Sequence, residues 1–573
     1  MCAIRVLVIA GVFFLVSCGQ LLRNIEKPVL DVLYNQVGYI SDAPKMLLVA
    51  GHVDLVLFED ETGNEVLRVV PEPALFWEKS GDAVRKVFFS EITLPGSYWV
   101  VLPKQKQRYR LLISHRPFHE LSKAALRSFY LNRSGIAIEP AFGNQWARPG
   151  GHPDTIVIIH NSAANANRPE GTLISSPGGW YDAGDYNKYI VNSGISTYTM
   201  FRAFHDFKDY FDTLVVNIPE SGSGIPDLLS ETLYNYKWML TMQDPFDGGV
   251  YHKLTNKNFD AMVMPHQATE DRFVVAKSTS ATLNFAAVAA MASRLLKDYE
   301  LHLGGLAEQS LKQAEKAWEW ALKNPNLEYE QPSDIKTGAY GDSHFNDEFF
   351  WAASELYLAS GKSSYLDAVL AHYSVPLVPT WNQVIALGFV SLLDYYDKLP
   401  IVLKEKGIKE DFLLLVEKLS SLSKLAPYGV SIQEFRWGSN SQVANEGMLK
   451  LVGYRLSGNN DYFYSALADL DYLLGRNATG YCFITGFGTQ RVMNIHHRPS
   501  AADGITDPVP GFLVGGPNTD VFTDCPPSTK RSKYPAKSFV DLECSYSTNE
   551  IAINWNAPMV YLLGGIEALK TKK

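Results

Sequence analysis

Hydrophobic positions along this chain change their period once. From about residue 30 to 115 apolar residues come in short runs broken by turn signals such as Thr62-Gly63-Asn64 and Pro95-Gly96. The runs Lys45–Ala50, Asp54–Phe58, Val66–Val70, Val84–Phe89, Ser97–Val101 and Arg108–Leu112 read as strands. Short strands at regular spacing predict a β-sandwich of immunoglobulin type. No cysteine falls in this stretch, so the sandwich lacks an inter-sheet disulfide. No catalytic cluster falls there either, and its expected role is packing.

From about residue 117 the apolar residues recur at three and four, the period of an amphipathic helix. Ser278–Lys297, Ala307–Lys323, Asp347–Ala359, Ile385–Lys398 and Asn445–Leu456 are predicted helices. Two hairpins look alike. Leu356–Gly361 is followed by a helix opening near Tyr365, and Tyr454–Gly458 by one opening near Tyr462. In each, glycine is placed to end a helix in the left-handed conformation. Repeated helical hairpins over the remaining chain predict a closed or curved array. The long loop-rich segment from Gly150 to Tyr186 is a place for function on such a scaffold.

The first residues follow neither pattern. Arg5 precedes an apolar run, Val6–Val16, too short to span a membrane comfortably, which reads as a secretory signal. Its end, Leu15-Val16-Ser17-Cys18, resembles a bacterial lipobox in which Cys18 becomes the lipid-modified first residue. Gly19 is not the aspartate that retains a lipoprotein in the inner membrane, so the resemblance implies the outer membrane, facing the periplasm or the surface of a Gram-negative cell. A simple cleaved signal or an uncleaved anchor are the alternatives. The expected organisation is a signal over 1–18, a tether over 19–29, the sandwich over 30–115 and a helical domain over 117–573.

Composition narrows the function. A chain of 573 residues exceeds one ordinary domain, and 46% hydrophobic residues suffice for large cores. A net charge of −9 without basic blocks argues against nucleic acid as a partner. With 11 Trp, 30 Tyr and 29 Phe the chain has aromatic faces to spare, a bias shared by carbohydrate binders and by many cores. The five cysteines form no zinc pattern; Cys525 and Cys544 can pair in an oxidising compartment and Cys482 can stay free.

Candidate chemistry centres on Gly178-Gly-Trp-Tyr181-Asp182-Ala-Gly-Asp185-Tyr-Asn-Lys-Tyr189. Glycine permits tight turns and close approach, and aromatic faces such as Tyr181 suit sugar rings. Two aspartates in such a loop can orient a water and take its proton, although Asp, Gly and Asn also build plain surface turns. Near the C-terminus Glu550 stands among amides and aromatics, in Tyr546-Ser-Thr-Asn549-Glu550. A carboxyl in a partly apolar setting gains a raised pKa and can act as an acid, while a glutamate there can also serve a helix N-terminus. A third stretch, Thr485 to Pro499, carries His496, His497 and Arg498, which can donate hydrogen bonds to sugar hydroxyls.

Together these stretches resemble family 9 glycoside hydrolases, the cellulase family once called family E. The Gly-Trp-Tyr-Asp-Ala-Gly-Asp motif, the His-x-Arg segment and the Asn-Glu segment occur in that family's order. Trp437-Gly-Ser-Asn440 and Gly515-Gly-Pro-Asn518 are similar to members as well, and Asn35-Gln-Val-Gly-Tyr39 resembles the start of the immunoglobulin-like module that precedes many of their catalytic domains. The resemblance implies an (α/α)6 barrel and inversion at the anomeric carbon. It implies Asp185 as general base, Asp182 as holder of the water, Glu550 as general acid, and His496, Arg498, Tyr546 and Trp437 as sugar-binding residues. An inverting pair should stand roughly 6.5–9.5 Å apart, leaving room for a water. Cys482 and Gln490 depart from the family's pattern, and the zinc-binding Cys/His cluster of some relatives is missing. The chemistry requires no cofactor. Some relatives bind calcium near Ser-x-x-x-Asp-Glu, and Ser343, Asp347 and Glu348 offer oxygen ligands of that kind, or simply an acidic helix start.

The implied function is an endo-β-1,4-glucanase cleaving cellulose-like, mixed-linkage or xyloglucan chains. An exo-acting glucosidase or glucosaminidase of the same family is the near alternative. A non-catalytic glycan-binding lipoprotein or a structural surface protein would leave Asp182, Asp185 and Glu550 unexplained.

Overall fold

The computed structural model describes residues 31–571; the signal, Cys18 and the tether lie outside the described residues. Nine strands form the N-terminal module: β1 (Val32–Leu33), β2 (Tyr39–Ile40), β3 (Met46–Ala50), β4 (Val56–Glu59), β5 (Glu65–Val69), β6 (Leu75–Trp77), β7 (Asp82–Phe88), β8 (Gly96–Leu102) and β9 (Gln107–Ser114). They make two sheets, β1-β3-β7-β6 and β2-β9-β8-β4-β5. β1, β2 and β6 are only two or three residues long, too short for a period to show in sequence.

The first sheet is apolar on both faces. Side chains alternate across a strand. Leu47 and Val49 enter the core of the sandwich, whereas Leu48, Val84 and Trp77 join the core of the helical domain. The module is therefore packed onto the helices through a whole sheet face.

Among the described residues twelve helices of nine residues or more follow: α1 (His119–Leu131), α2 (Ile190–Asp206), α3 (Asp227–Thr241), α4 (Thr279–Leu295), α5 (Leu306–Lys323), α6 (Asn346–Ser360), α7 (Ser363–Ala371), α8 (Ile385–Asp394), α9 (Ile408–Leu425), α10 (Ser439–Ser457), α11 (Asn460–Leu473) and α12 (Ile553–Thr571). α2, α4, α6, α8, α10 and α12 contact one another in sequence, and α12 returns to α2, closing an inner ring. The other six lie outside it, which is the (α/α)6 barrel. Gly361 and Gly458 both adopt φ of 71° at the ends of α6 and α10, as their placement in the sequence predicts. The Ser278 side chain caps α4 by accepting from Ala281 N. The helix expected over Ile385–Lys398 stops at Asp394 and continues as a 3-10 turn over Tyr396–Lys398, and α10 begins six residues before the predicted Asn445. No described helix is long and apolar enough to cross a membrane.

Five short strands sit among the loops at one end of the barrel: β10 (Val157–Ile159), β11 (Leu173–Ile174), β12 (Lys188–Tyr189), β13 (Lys253–Thr255) and β14 (Phe273–Val274), in the order β11-β10-β14-β13-β12. β12 ends the aspartate loop and pairs antiparallel with β13, Tyr189 opposite Lys253. Cys525 and Cys544 form a disulfide, and Cys482 is free and buried.

Candidate active site

The aspartate loop is held on every side. Gly178 and Gly179 both take φ of 81°, and a Cβ on Gly179 would lie 2.8 Å from the Trp238 ring. Trp180 is buried and donates through Nε1 to Glu231 at 2.8 Å, while its N–H meets Asn235 Oδ1 at 3.0 Å. Behind the loop Asp154 is shared by Lys188 at 2.7 Å and Arg272 at 3.1 Å. These contacts fix the backbone before any substrate arrives.

Asp182 is buried under the loop. Its carboxylate accepts from Asn192 Nδ2 at 2.9 and 3.0 Å and from the Tyr340 hydroxyl at 3.0 Å. Its carbonyl accepts from Ile553 N at 2.9 Å, tying the loop to the start of α12. Asp185 accepts from Asn187 Nδ2 and, at 3.3 Å, from the Tyr189 hydroxyl.

Glu550 arrives from the far end of the chain. His496 and Glu550 form a parallel bridge, and Glu550 Oε1 accepts from Gly184 N at 3.2 Å. Gly184 is the junction: a Cβ there would lie 2.2 Å from the His496 carbonyl and 3.1 Å from Glu550 Oε1. The sequence therefore brings Asp182, Asp185 and Glu550 to one place through a glycine that no other residue can replace without a shift.

Burial and proximity set the charges. Burial, then the neighbouring Asp185, pushes Glu550 well above the usual carboxylate range. The same causes in the same order raise Asp182, against the donors Asn192 and Tyr340. Three carboxyls this close do not all ionise near neutral pH. The raised pKa favours the protonated form of Glu550, which can give its proton to a leaving oxygen.

His496 Nδ1 lies 2.8 Å from the Glu543 carbonyl. A carbonyl only accepts, so in the neutral ring Nδ1 carries the hydrogen and Nε2 is an acceptor. Burial lowers the pKa of this imidazole, which favours the neutral ring. Tyr546 stands between His496 and Trp437, with ring centroids 6.0 and 5.3 Å away. Trp437 is 45% exposed, so this row presents an open aromatic face beside Glu550. Arg498 is spent largely on the protein: Nη1 donates to the Gly184 carbonyl at 2.7 Å and Nε to the Asp260 carbonyl at 2.9 Å.

Tyr181, expected to face the sugar, does not. It is 1% exposed, and its hydroxyl meets His152 Nδ1 at 2.9 Å and the Gly151 carbonyl at 3.2 Å. It props the loop from behind. Sequence reasoning missed Tyr340 and Asn192, which lie outside every motif, and Asn187 and Tyr189, which lie inside one but gave no signal of their own.

At the start of α6 the expected calcium ligands are arranged differently from the motif. Glu348 is wholly buried; its carboxyl stands within hydrogen-bonding reach of the Asp347 and Asp342 carboxyls and meets no nitrogen or hydroxyl donor of another residue. Asp347 Oδ2 accepts from Val384 N at 2.7 Å, and Asp342, absent from the motif, is buried beside Glu348. Ser343 is exposed, its hydroxyl turned to His344 Nδ1. Burial, then Asp347 and Asp342, raise Glu348 well above its ordinary value. Buried carboxyl oxygens gathered this closely fit a hard cation, with Asp342 replacing Ser343 in the set. Elsewhere, His205, Asp206 and Asp394 converge closely enough to hold an ion, but Arg202 and Arg455 already neutralise them.

Comparison with known proteins agrees with this geometry. The family model described as Glycosyl hydrolase family 9 matches residues 118–563, and that of the Cellulase N-terminal ig-like domain matches residues 29–107. The chain is 42% identical over 558 residues, 93% of each protein, to a "Xyloglucan-specific endo-beta-1,4-glucanase" of Bacteroides ovatus. It superposes on a solved Bacteroides ovatus GH9 structure with a TM-score of 0.88 at 40% identity, covering 94% of this chain and 99% of that one. It also superposes on AaCel9A solved in complex with cellobiose-like isofagomine, with a TM-score of 0.85 at 27% identity, covering 94% and 100%. A barrel and an N-terminal module that match over nearly the whole chain place it: the protein belongs to glycosyl hydrolase family 9 and is an inverting glycoside hydrolase.

Proposed function

We propose that the protein is an endo-β-1,4-glucanase whose substrate is a xyloglucan-type β-glucan, with Asp185 as general base and Glu550 as general acid. The observation that carries the mechanism is Glu550, buried and hydrogen-bonded to the loop that bears Asp185, a setting that raises its pKa and favours the acid form. The substrate rests on the similarity to the Bacteroides ovatus enzyme, which covers 93% of each chain.

The sugar lies along Trp437, Tyr546 and His496. Asp182 and Asp185 hold a water on the face opposite the scissile oxygen. As Glu550 protonates that oxygen and the bond breaks, the water attacks the anomeric carbon and Asp185 takes its proton. The product is the α-anomer, and both carboxyls must be reset by solvent. Arg498 keeps Gly184 in place, so it acts through the loop more than on the sugar.

Product analysis on xyloglucan, mixed-linkage glucan, carboxymethyl cellulose and chito-oligosaccharides tests the reading. A fast fall in xyloglucan viscosity, with little early release of single sugars, is the expected result. Monosaccharide as the first product would overturn endo action.

Two proposals concern the chain's surroundings. Cys18 is the lipid-modified residue of an outer-membrane lipoprotein, supported by Leu15-Val16-Ser17-Cys18 and Gly19. Cys18→Ser should abolish lipid labelling; labelling that persists rules the site out. A structural calcium sits at the start of α6, held by Asp342, Asp347 and Glu348 and supported by the buried carboxyl oxygens gathered there.

A further inference from the structure

A buried lysine stands behind Asp185. Lys253 is wholly shielded from solvent, so no sugar reaches it. Its ammonium donates to Gln331 Oε1 at 3.1 Å, Thr337 Oγ1 at 3.0 Å and the Gly338 carbonyl at 2.6 Å, all neutral oxygens. The Tyr189 and Tyr329 rings lie 5.5 and 5.7 Å away. An ammonium taken out of water without a counter-ion beside it is costly.

The register of β12 and β13 shows where the charge leads. Tyr189 is opposite Lys253, so both project to one face. Thr255, two residues on from Lys253, lies on that face too, and Asn187 precedes Tyr189 by two. Lys253 donates to Thr337 Oγ1, which lies 2.6 Å from Thr255 Oγ1. Thr255 donates to Asn187 Oδ1 at 2.9 Å, sharing its hydroxyl with the Asn256 carbonyl at 2.8 Å. Asn187 Nδ2 donates to Asp185 Oδ2, the oxygen that also accepts from Tyr189. With Thr337 as the donor to Thr255, one of the two senses that contact allows, and the Thr255 proton on Asn187, the chain runs from the ammonium to the carboxylate and polarises in one sense.

We propose that Lys253 is a positioning residue for hydrolysis: through Thr337, Thr255 and Asn187 its charge favours an ionised, correctly aimed Asp185 beside two other carboxyls. This rests on Asp185 being the general base.

The other groups around Lys253 do not supply that charge. His252, the residue before the strand, stacks on Tyr329 at 4.0 Å and is pulled down to about 3, chiefly by burial, so it is neutral. Lys188 on β12 and Arg272 beside β14 share Asp154. On the segment that carries Thr337, Asp334 is taken by Lys257 at 2.8 Å and faces His160 at 3.2 Å. Burial pulls Lys253 itself down to about 7, opposed by the negative charge of Asp185.

The test is the pH profile of kcat/KM on the full-length enzyme with its best soluble β-glucan. Lys253→Met keeps the length and removes the charge. The acid limb should move to higher pH by on the order of one unit, with KM within about twofold of wild type. Lys253→Arg should hold the limb near its wild-type position. Thr255→Val cuts the chain at its middle and should shift the limb in the same direction by less. A folded Lys253→Met whose acid limb matches wild type overturns the proposal; if that variant does not fold, an unmoved limb in folded Thr255→Val does so. Asp185→Ala separates the two readings. If it keeps activity, the base assignment fails and the lysine's role fails with it. If it is inactive while Lys253→Met leaves the limb in place, the base stands and the lysine's role alone is refuted.

Discussion

Gly184 shows what single residues do here. It lets the aspartate loop touch the two bridged segments that carry His496 and Glu550, and its missing Cβ is the space between them. Gly184→Ala must push against the His496 carbonyl, which is backbone and yields little. A displacement of this kind costs on the order of 10² in rate, so kcat should fall by about that much while folding survives. Near-wild-type kcat in the folded variant would show that the junction tolerates a shift. Glu550→Gln keeps the shape and loses the proton. Hydrolysis of polysaccharide should drop by about 10²–10⁴, whereas a glycosyl fluoride, whose leaving group needs little protonation, should be hurt less. Asp185→Asn should harm both substrates alike; equal losses for both variants on both substrates would refute the division of labour. In the wild type, activity should fall as pH rises through the raised pKa of Glu550, because the acid must enter the cycle protonated. The three carboxyls were legible because their neighbours form motifs. Tyr340 and Asn192 were not, since a lone tyrosine or asparagine gives no sign of which carboxylate it meets. Aromatics misled in one case: Tyr181 and Trp437 look alike as sugar platforms, but one is buried against His152 and the other is open.

At the scale of elements, amphipathicity explains only part of what was legible. α5, on the outside, was found almost to the residue, because polar outer positions mark its period. α4 and α6 were found as well although both stand in the inner ring and are largely buried, whereas α2, buried in the same ring, was not. α6 also carries a testable charge problem at its first turn. With burial first and Asp347 second, Glu348 is raised above its unfolded value. For such a group the metal-free protein has its full share of stability at pH below the unfolded pKa and loses it as pH climbs through the folded one. Bound calcium replaces the proton and removes the loss. Calcium should therefore raise Tm more at pH 7.5 than at pH 5, and Glu348→Gln should abolish that dependence. A Tm unmoved by calcium at both pH values, from verified metal-free protein, counts against the site.

The whole molecule is organised by the sheet with two apolar faces. Leu48, Val84 and Trp77 belong to the barrel's core although they come from the N-terminal module, and Trp77 meets the Tyr428 ring at 4.8 Å. The Asn35-Gln-Val-Gly-Tyr39 motif is the polar lock beside it. Asn35 Nδ2 donates to Asp471 Oδ1 at 2.8 Å, and Gln36 Oε1 accepts from Thr489 N and Gln490 N. Those contacts give a physical reason for residues that the sequence offered only as a resemblance. Removing the module would bare a sheet-sized apolar surface on the barrel, so Tm should fall sharply and aggregation should rise. A truncated barrel that melts with the intact enzyme would refute the packing role. A finer cut separates stability from chemistry. Asn35→Ala leaves Oδ1 of the buried Asp471 without its donor, Arg476 still donating to Oδ2, which costs about 1–3 kcal/mol, and should lower Tm with kcat unchanged. Asp82, on β7 of the module, instead reaches the segment closed by the Cys525–Cys544 disulfide, through Lys537 at 3.1 Å. That segment leads directly into Tyr546 and Glu550. Asp82→Asn should therefore lower kcat at temperatures where the enzyme is fully folded, with KM changed less. A variant that loses Tm but keeps kcat would confine the module to packing and leave the acid's placement to the barrel alone.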